Sequence, residues 1–170
     1  GRVTGVSTPY GDIQTDCVVN CAGLWARELG ALSGVAISNQ AAEHYYLITE
    51  AIRDLPPNMP VLEDPSAYGY YRQEGGGLMV GLFEPVCAPW RVEGIPEDFS
   101  FGELPPDWER MLPFLERALS RVPVTAEVGM KKLFCGPESF TPDLGPIVGE
   151  APELRGYFVA AGLNSIGILS

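Results

Sequence analysis

The amino-acid sequence predicts an α+β fold in which an antiparallel-sheet domain is inserted between two parts of an α/β unit. Three observations predict it. Near the start, the apolar run Cys17-Val-Val-Asn-Cys-Ala-Gly23 leads directly into helix-spaced residues. Near the end, Tyr157-Phe-Val-Ala-Ala-Gly162 is a second short apolar run that closes on glycine. Between them lie β-rich segments, turn clusters and one long amphipathic stretch, which read as antiparallel strands with one or two helices. The boundaries implied are residues 1–34, 35–130 and 131–170.

Taken in order, Arg2-Val-Thr-Gly-Val-Ser and Gly11-Asp-Ile-Gln-Thr-Asp alternate around the turn cluster Thr8-Pro-Tyr-Gly11, so the chain opens as a hairpin. The run from Cys17 is nearly continuous in apolar residues and reads as a buried strand. Leu24, Trp25, Leu29 and Leu32 are spaced for one helical face, and Gly34 stops the helix. A strand that passes through Ala22-Gly23 into a helix is a layout that aims backbone N–H groups at a cofactor; it is also a common tight connection in α/β proteins.

In the middle, Ala42-Glu-His-Tyr-Tyr-Leu-Ile-Thr49 is β-rich, and Pro56-Pro-Asn-Met-Pro60 breaks the chain before Val61-Leu-Glu-Asp64. Tyr68-Gly-Tyr-Tyr-Arg72 and Leu78-Met-Val-Gly-Leu-Phe83 flank Gln73-Glu-Gly-Gly-Gly77, a hairpin signal. A proline-rich loop leads to a helix over 107–121. There Trp108, Met111, Leu112, Leu115 and Leu119 form one stripe and Asp107 is the N-cap; Pro113 inside it predicts a kink or a later start. Glu127-Val-Gly-Met-Lys-Lys-Leu-Phe134 returns as a strand. The segment 134–150 carries Pro137, Pro142 and Pro146 and is extended and kinked, not helical. Two strands joined by a polar turn follow, then the small residues Gly162-Leu-Asn-Ser-Ile-Gly167, as where backbone approaches a ligand and a helix begins.

Eleven Lys plus Arg against 22 Asp plus Glu give a formal net charge of −11, which argues against nucleic acid or an anionic membrane as partner. No apolar run reaches the roughly 18 residues of a membrane span. Cys17, Cys21, Cys87 and Cys135 form no C-x-x-C pair and have no histidine-rich neighbour, so they read as reduced, mostly buried thiols and not as metal ligands.

The run Cys135-Gly-Pro-Glu-Ser-Phe-Thr-Pro-Asp143, continued by Pro146-Ile-Val-Gly-Glu-Ala-Pro-Glu-Leu-Arg-Gly-Tyr-Phe158 and Gly162-Leu-Asn-Ser-Ile-Gly167, resembles the flavin-dependent sarcosine and dimethylglycine dehydrogenases of the D-amino-acid-oxidase-like superfamily. Val18-Val-Asn-Cys-Ala-Gly-Leu-Trp-Ala26 is similar to an FAD-contacting strand of the same family, in the matching order. The resemblance implies a substrate domain inserted into an FAD-binding, Rossmann-like α/β domain. No Gly-x-Gly-x-x-Gly motif occurs, so the adenine and pyrophosphate half of the cofactor site is expected upstream, and a tetrahydrofolate-binding region downstream. It implies flavin contacts at Ala22, Gly23, Trp25, Gly162, Leu163, Asn164, Ser165 and Gly167. It also implies an electron-transfer flavoprotein as acceptor, and a compartment that is cytoplasmic in a bacterium or the mitochondrial matrix in a eukaryote.

His44 is the single histidine, and read bare it is a residue satisfied within a sheet or exposed. His44 with Tyr46 and Thr49 matches the family's His-x-Tyr-x-x-Thr stretch, whose histidine lines the substrate pocket. Tyr70-Tyr-Arg72 matches its Tyr-x-Arg, whose tyrosine faces the substrate. Oxidation of an N-methyl amine needs the neutral amine, and an imidazole is suited to remove that proton. Arg72 is suited to a bidentate pair with a substrate carboxylate, or to an ion pair with Glu74 or Glu84. Tyr45, Tyr68 and Tyr71 read as packing residues, and Glu138 and Asp143 as turn caps. Lys131-Lys132 is a solvated pair. The regulatory subunit of pyruvate dehydrogenase phosphatase resembles the chain over the same region, including Glu43-His44-Tyr45-Tyr46, and is the non-catalytic reading. A glycine or D-amino-acid oxidase is a third.

Overall fold

Gly11, at φ 125°, lets the chain reverse after Thr8-Pro-Tyr, and β1 (Gly5–Thr8) pairs antiparallel with β2 (Gly11–Gln14) as the opening hairpin. The structure is a computed structural model that describes residues 1–169. The chain divides into two compact units: Gly1–Ala42 with Pro89–Phe99 and Pro137 onward, and Glu43–Ala88 with Ser100–Gly136. The first change of unit falls eight residues after the boundary expected at residue 34. Val35 and Ile37 are buried in the core of the first unit, and the Trp90 N–H bonds the Ala41 carbonyl at 2.8 Å.

In the first unit, β3 (Val18–Asn20) runs parallel to β10 (Tyr157–Ala161), which pairs antiparallel with β9 (Ile147–Glu150). Val3, Ala26, Val35, Ile37, Tyr157 and Val159 are buried in its core. Three expectations are corrected here, for the strand from Cys17, for the burial of the cysteines and for the face of α1. The strand from Cys17 is not buried throughout: it lies at an edge of the three-stranded sheet, so Asn20 faces the core while Val19 is 54% exposed. Cys17 and Cys21 are exposed and Cys87 half-buried, leaving Cys135 as the buried thiol. The third correction is the packed face of α1 (Ala26–Leu32). It buries Ala26 and Gly30 and leaves Leu32 85% exposed, because close approach selects small residues: a Cβ on Gly30 would stand 2.9 Å from the Val35 carbonyl oxygen.

The second unit is built on an antiparallel hairpin, β6 (Gly69–Glu74) and β7 (Gly77–Leu82), closed by Gly75 and Gly76, both at positive φ. With β4 (Gln40–Thr49), β5 (Leu62–Asp64) and β8 (Met130–Phe140) it forms a five-stranded sheet in the order β5-β6-β7-β4-β8. Pro137 sits in β8, an edge strand, the place in a sheet where proline is tolerated. α2 (Trp108–Leu119) starts at Asp107, whose carboxylate accepts the Arg110 N–H at 3.0 Å, and it runs through Pro113 without a delayed start. Met111, Leu115 and Ala118 face Tyr45, Leu47, Tyr71, Leu78, Val80 and Leu82 in one core, and burial of each large side chain contributes about 1.5–3 kcal/mol.

Candidate active site

Strand alternation sorts the five-stranded sheet into two faces. Tyr45, Leu47, Tyr71, Leu78, Val80 and Leu82 take the face covered by α2 and are fully buried. The residues between them take the other. Tyr46 and Tyr70 both lie opposite Gly81, from β4 and β6 on either side of β7, so the three share one rung. His44 precedes Tyr46 by two residues on β4 and belongs to the same face. Arg72 and Ile48 both lie opposite Met79 on the next rung of that face.

This face has aromatic walls. Tyr46 stacks on Phe134 of β8 with ring centroids 4.5 Å apart and 16° between planes. Tyr70 lies against Phe83 at 5.1 Å. Gly81 is buried, and a Cβ built there would overlap the Tyr70 ring, so the glycine makes the space that the ring fills. His44 Nδ1 is 3.5 Å from Glu84 Oε1; the imidazole is 15% exposed and the carboxylate has no exposed surface. Arg72 is at the solvent side, with Nη2 2.8 Å from Glu74 Oε2 and Nε 3.0 Å from Met79 Sδ. Its acidic partner is therefore Glu74 and not Glu84.

On the covered face the polar groups are structural. The Tyr45 hydroxyl donates to Glu43 at 2.7 Å and accepts from the Asp107 N–H at 3.2 Å and from Arg110 Nη2 at 3.0 Å. Arg110 also pairs with Glu43. Burial pushes both the Tyr45 hydroxyl and the Cys135 thiol above their ordinary pKa. Tyr71 donates to the Ala118 carbonyl at 2.7 Å, and Tyr68 meets Phe114 edge-on at 5.4 Å. These three tyrosines pack, as expected.

In the first unit, the parallel pairing of Asn20 with Val159 puts the carboxyl ends of β3 and β10 at the same end of the sheet. Ligands of open α/β sheets bind beyond such ends. The residues that follow β3 are Cys21, Ala22 and Gly23; those that follow β10 are Gly162, Leu163, Asn164 and Ser165. Asn20 fixes the first turn: Nδ2 donates to the Ala26 carbonyl (2.9 Å) and the Tyr157 hydroxyl (3.0 Å), and Oδ1 accepts the Ala22 N–H (3.1 Å). Between β3 and α1 lies a 3-10 turn, Gly23–Trp25, so α1 does not begin directly at the glycine. Trp25 is 39% exposed.

The second turn holds left-handed residues in sequence: Gly162 (φ 64°), Asn164 (47°) and Ser165 (69°). Asn164 supports it by accepting the Thr141 N–H at 2.9 Å and donating to the Gly162 carbonyl at 2.6 Å. Ser165 donates to Glu138 at 2.7 Å, and Asp143 caps a turn through the Gly145 N–H at 3.1 Å. The helix expected after Gly162 is a 3-10 turn at Gly167–Leu169 among the described residues. Asn39, 3% exposed, donates to Gly23 O (3.1 Å) and Ser139 Oγ (3.0 Å), while its Oδ1 receives no hydrogen bond from the described residues. Gly23 and Ser165 are exposed at these paired strand ends, Gly162 is buried, and Asn39 offers a buried acceptor lacking a donor among the described residues, a set that fits a flat ring carrying N–H and C=O groups, as flavin does.

Sequence reasoning passed over Gly81, Phe134 and Asn39, and named Glu84 only as a partner for Arg72. For Gly81 a signal existed: it is a glycine inside an apolar strand, which marks a close approach. Among the described residues no cluster of metal-binding side chains occurs, and no helix is long and apolar enough to cross a membrane.

Human mitochondrial sarcosine dehydrogenase is 46% identical over 168 residues, covering 99% of this chain and 18% of the relative. The 4-methylaminobutanoate oxidase (formaldehyde-forming) of Paenarthrobacter nicotinovorans is 42% identical over 98% of the chain and 20% of its own length. The mitochondrial pyruvate dehydrogenase phosphatase regulatory subunit of mouse is 40% identical over 99% and 19%. The chain thus spans about a fifth of these relatives. The L-proline dehydrogenase of P. horikoshii superposes with a TM-score of 0.74 at 23% identity, over 99% of this chain and 42% of that one. The model of the DAO family, described as FAD dependent oxidoreductase, matches residues 1–170, and the chain belongs to that family.

Proposed function

We propose that the chain is part of a flavin-dependent dehydrogenase that oxidises an N-methyl glycine derivative, sarcosine or dimethylglycine, at the N-methyl carbon. One observation carries the reading: the sheet face opposite α2 gathers an imidazole, two phenols and aromatic walls around the glycine at position 81. The identity to sarcosine dehydrogenase supports the substrate class, and the oxidase relative is likewise named for a methylamino acid.

FAD, when bound, supplies the hydride acceptor. Ala22, Gly23 and Trp25 after β3, with Gly162, Leu163, Asn164, Ser165 and Gly167 after β10, are the residues proposed to hold its ring. On this reading the unit of Gly1–Ala42, Pro89–Phe99 and Pro137 onward is the flavin domain, and the unit of Glu43–Ala88 and Ser100–Gly136 is the substrate domain. His44 takes the ammonium proton from the substrate, which frees the nitrogen lone pair. Tyr70 hydrogen-bonds the amino acid or the imidazole and closes the site. Tyr46, Phe83 and Phe134 keep water away from the methyl group. Arg72 exchanges its exposed pair with Glu74, worth only about 0–1 kcal/mol, for the substrate carboxylate. The imine product is hydrolysed, or its one-carbon unit passes to tetrahydrofolate. An electron-transfer flavoprotein reoxidises the enzyme, in the cytoplasm of a bacterium or the mitochondrial matrix of a eukaryote.

The test is anaerobic addition of sarcosine or dimethylglycine to the full-length flavoprotein while the flavin absorbance is followed. Bleaching that is lost in His44→Ala and slowed in Tyr70→Phe, with flavin still bound, is the expected result. Flavin that stays oxidised with every N-methyl glycine transfers the weight to a regulatory role, as named for the mouse phosphatase subunit.

A further inference from the structure

Glu84 is the most deeply buried carboxylate of the second unit: its side chain has no exposed surface, and neither oxygen receives a hydrogen bond from the described residues. An ionised carboxylate in such a place is strongly disfavoured unless a cation or N–H donor stands beside it. Two other charged groups of the second unit are engaged elsewhere. Glu43 on β4 is answered by Arg110 of α2, and Lys132 on β8 by Glu103 at 2.6 Å. The Cys135 thiol on β8 feels the Glu84 charge and is pushed up in pKa chiefly by burial. Tyr46 is stacked on Phe134, and Tyr70 lies against Phe83. Among the described residues, His44 is a basic group in ion-pair range of this carboxylate, with Nδ1 3.5 Å from Oε1.

We propose that Glu84 is a positioning residue for His44, holding the proton on Nδ1 so that Nε2 is the nitrogen that accepts a proton from a substrate ammonium. The assignment rests on the functional reading above. In the step, the N–H bond of the ammonium breaks, an Nε2–H bond forms, and the electron pair stays on the amine nitrogen. The Glu84 carboxyl group stands beside the imidazolium that results. A carboxylate fixed beside one imidazole nitrogen both selects the tautomer and strengthens the base. Arg72 does not supply the counter-charge, since it is engaged by Glu74.

Heteronuclear NMR of histidine-labelled full-length protein, with the His44 resonances identified by their loss in His44→Gln, tests this without turnover. The Nδ1–H tautomer is expected above the His44 titration. Glu84→Gln is expected to lower that titration by about one pH unit or more, and Glu84→Asp to leave most of the shift in place. An Nε2–H tautomer in the parent protein overturns the proposal, even if neither variant folds. So does a Glu84→Gln titration equal to the parent's. Flavin bleaching in the same parent samples is read separately. Its absence sinks the dehydrogenase reading while leaving the Glu84–His44 coupling measurable.

Discussion

The ring of Tyr70 occupies the volume that a side chain on Gly81 would take, one strand across on the same rung of the sheet. A glycine inside a strand weakens it by lost backbone entropy, so its presence in β7 marks a requirement of the ring and not of the ladder. Gly81→Ala forces the ring aside. The expected cost is about 1–3 kcal/mol of stability and, in the full-length protein, a loss of substrate-dependent flavin reduction matching that of Tyr70→Ala. Because both residues act through one contact, the double variant is expected to be far less than additive. Additive losses in stability and rate would refute the coupling.

Asn20 ties the end of β3 to the turn beyond it through three hydrogen bonds, to Ala22, Ala26 and Tyr157. Asn20→Ala leaves buried partners unsatisfied and is expected to cost about 1–3 kcal/mol, with Tyr157→Phe at the lower end of that range. Denaturant titration of both variants measures this. Since the same turn carries Ala22 and Gly23, flavin retention is expected to fall in Asn20→Ala and not in Tyr157→Phe.

Burial raises the pKa of both Tyr45 and Tyr71 above the ordinary tyrosine value of 10.0. The folded state keeps a proton that the unfolded state releases, so their stabilisation is complete below the unfolded value and is lost as pH rises beyond it. Stability is therefore expected to fall steeply above pH of about 10, and Tyr71→Phe to flatten that fall. An unchanged alkaline slope in Tyr71→Phe contradicts the burial argument.

Cys135 is 1% exposed and its thiol is raised in pKa by burial. Thiol reagents react through the thiolate, so Cys135 is expected to stay unlabelled in native protein and to label only when the second unit unfolds. Labelling of Cys135 in native protein at the rate of Cys17 would show that the sheet opens locally.

Local chemistry in the sequence determined the opening hairpin around Thr8-Pro-Tyr-Gly11, the β6–β7 hairpin around its glycines, the Asp107 cap and the packing tyrosines. Each depends on residues within a few positions of one another. The family was legible as well, since motifs such as Cys135-Gly-Pro-Glu-Ser-Phe140 keep their order along the chain. Tertiary structure alone decided that β3 pairs parallel with β10 across more than a hundred residues. It also decided that α1 packs through Ala26 and Gly30 and leaves Leu29 and Leu32 exposed, and that Glu84 lies against His44. Periodicity shows which residues share a face. What that face meets, and which carboxylate loses its water, depends on chain brought in from distant positions.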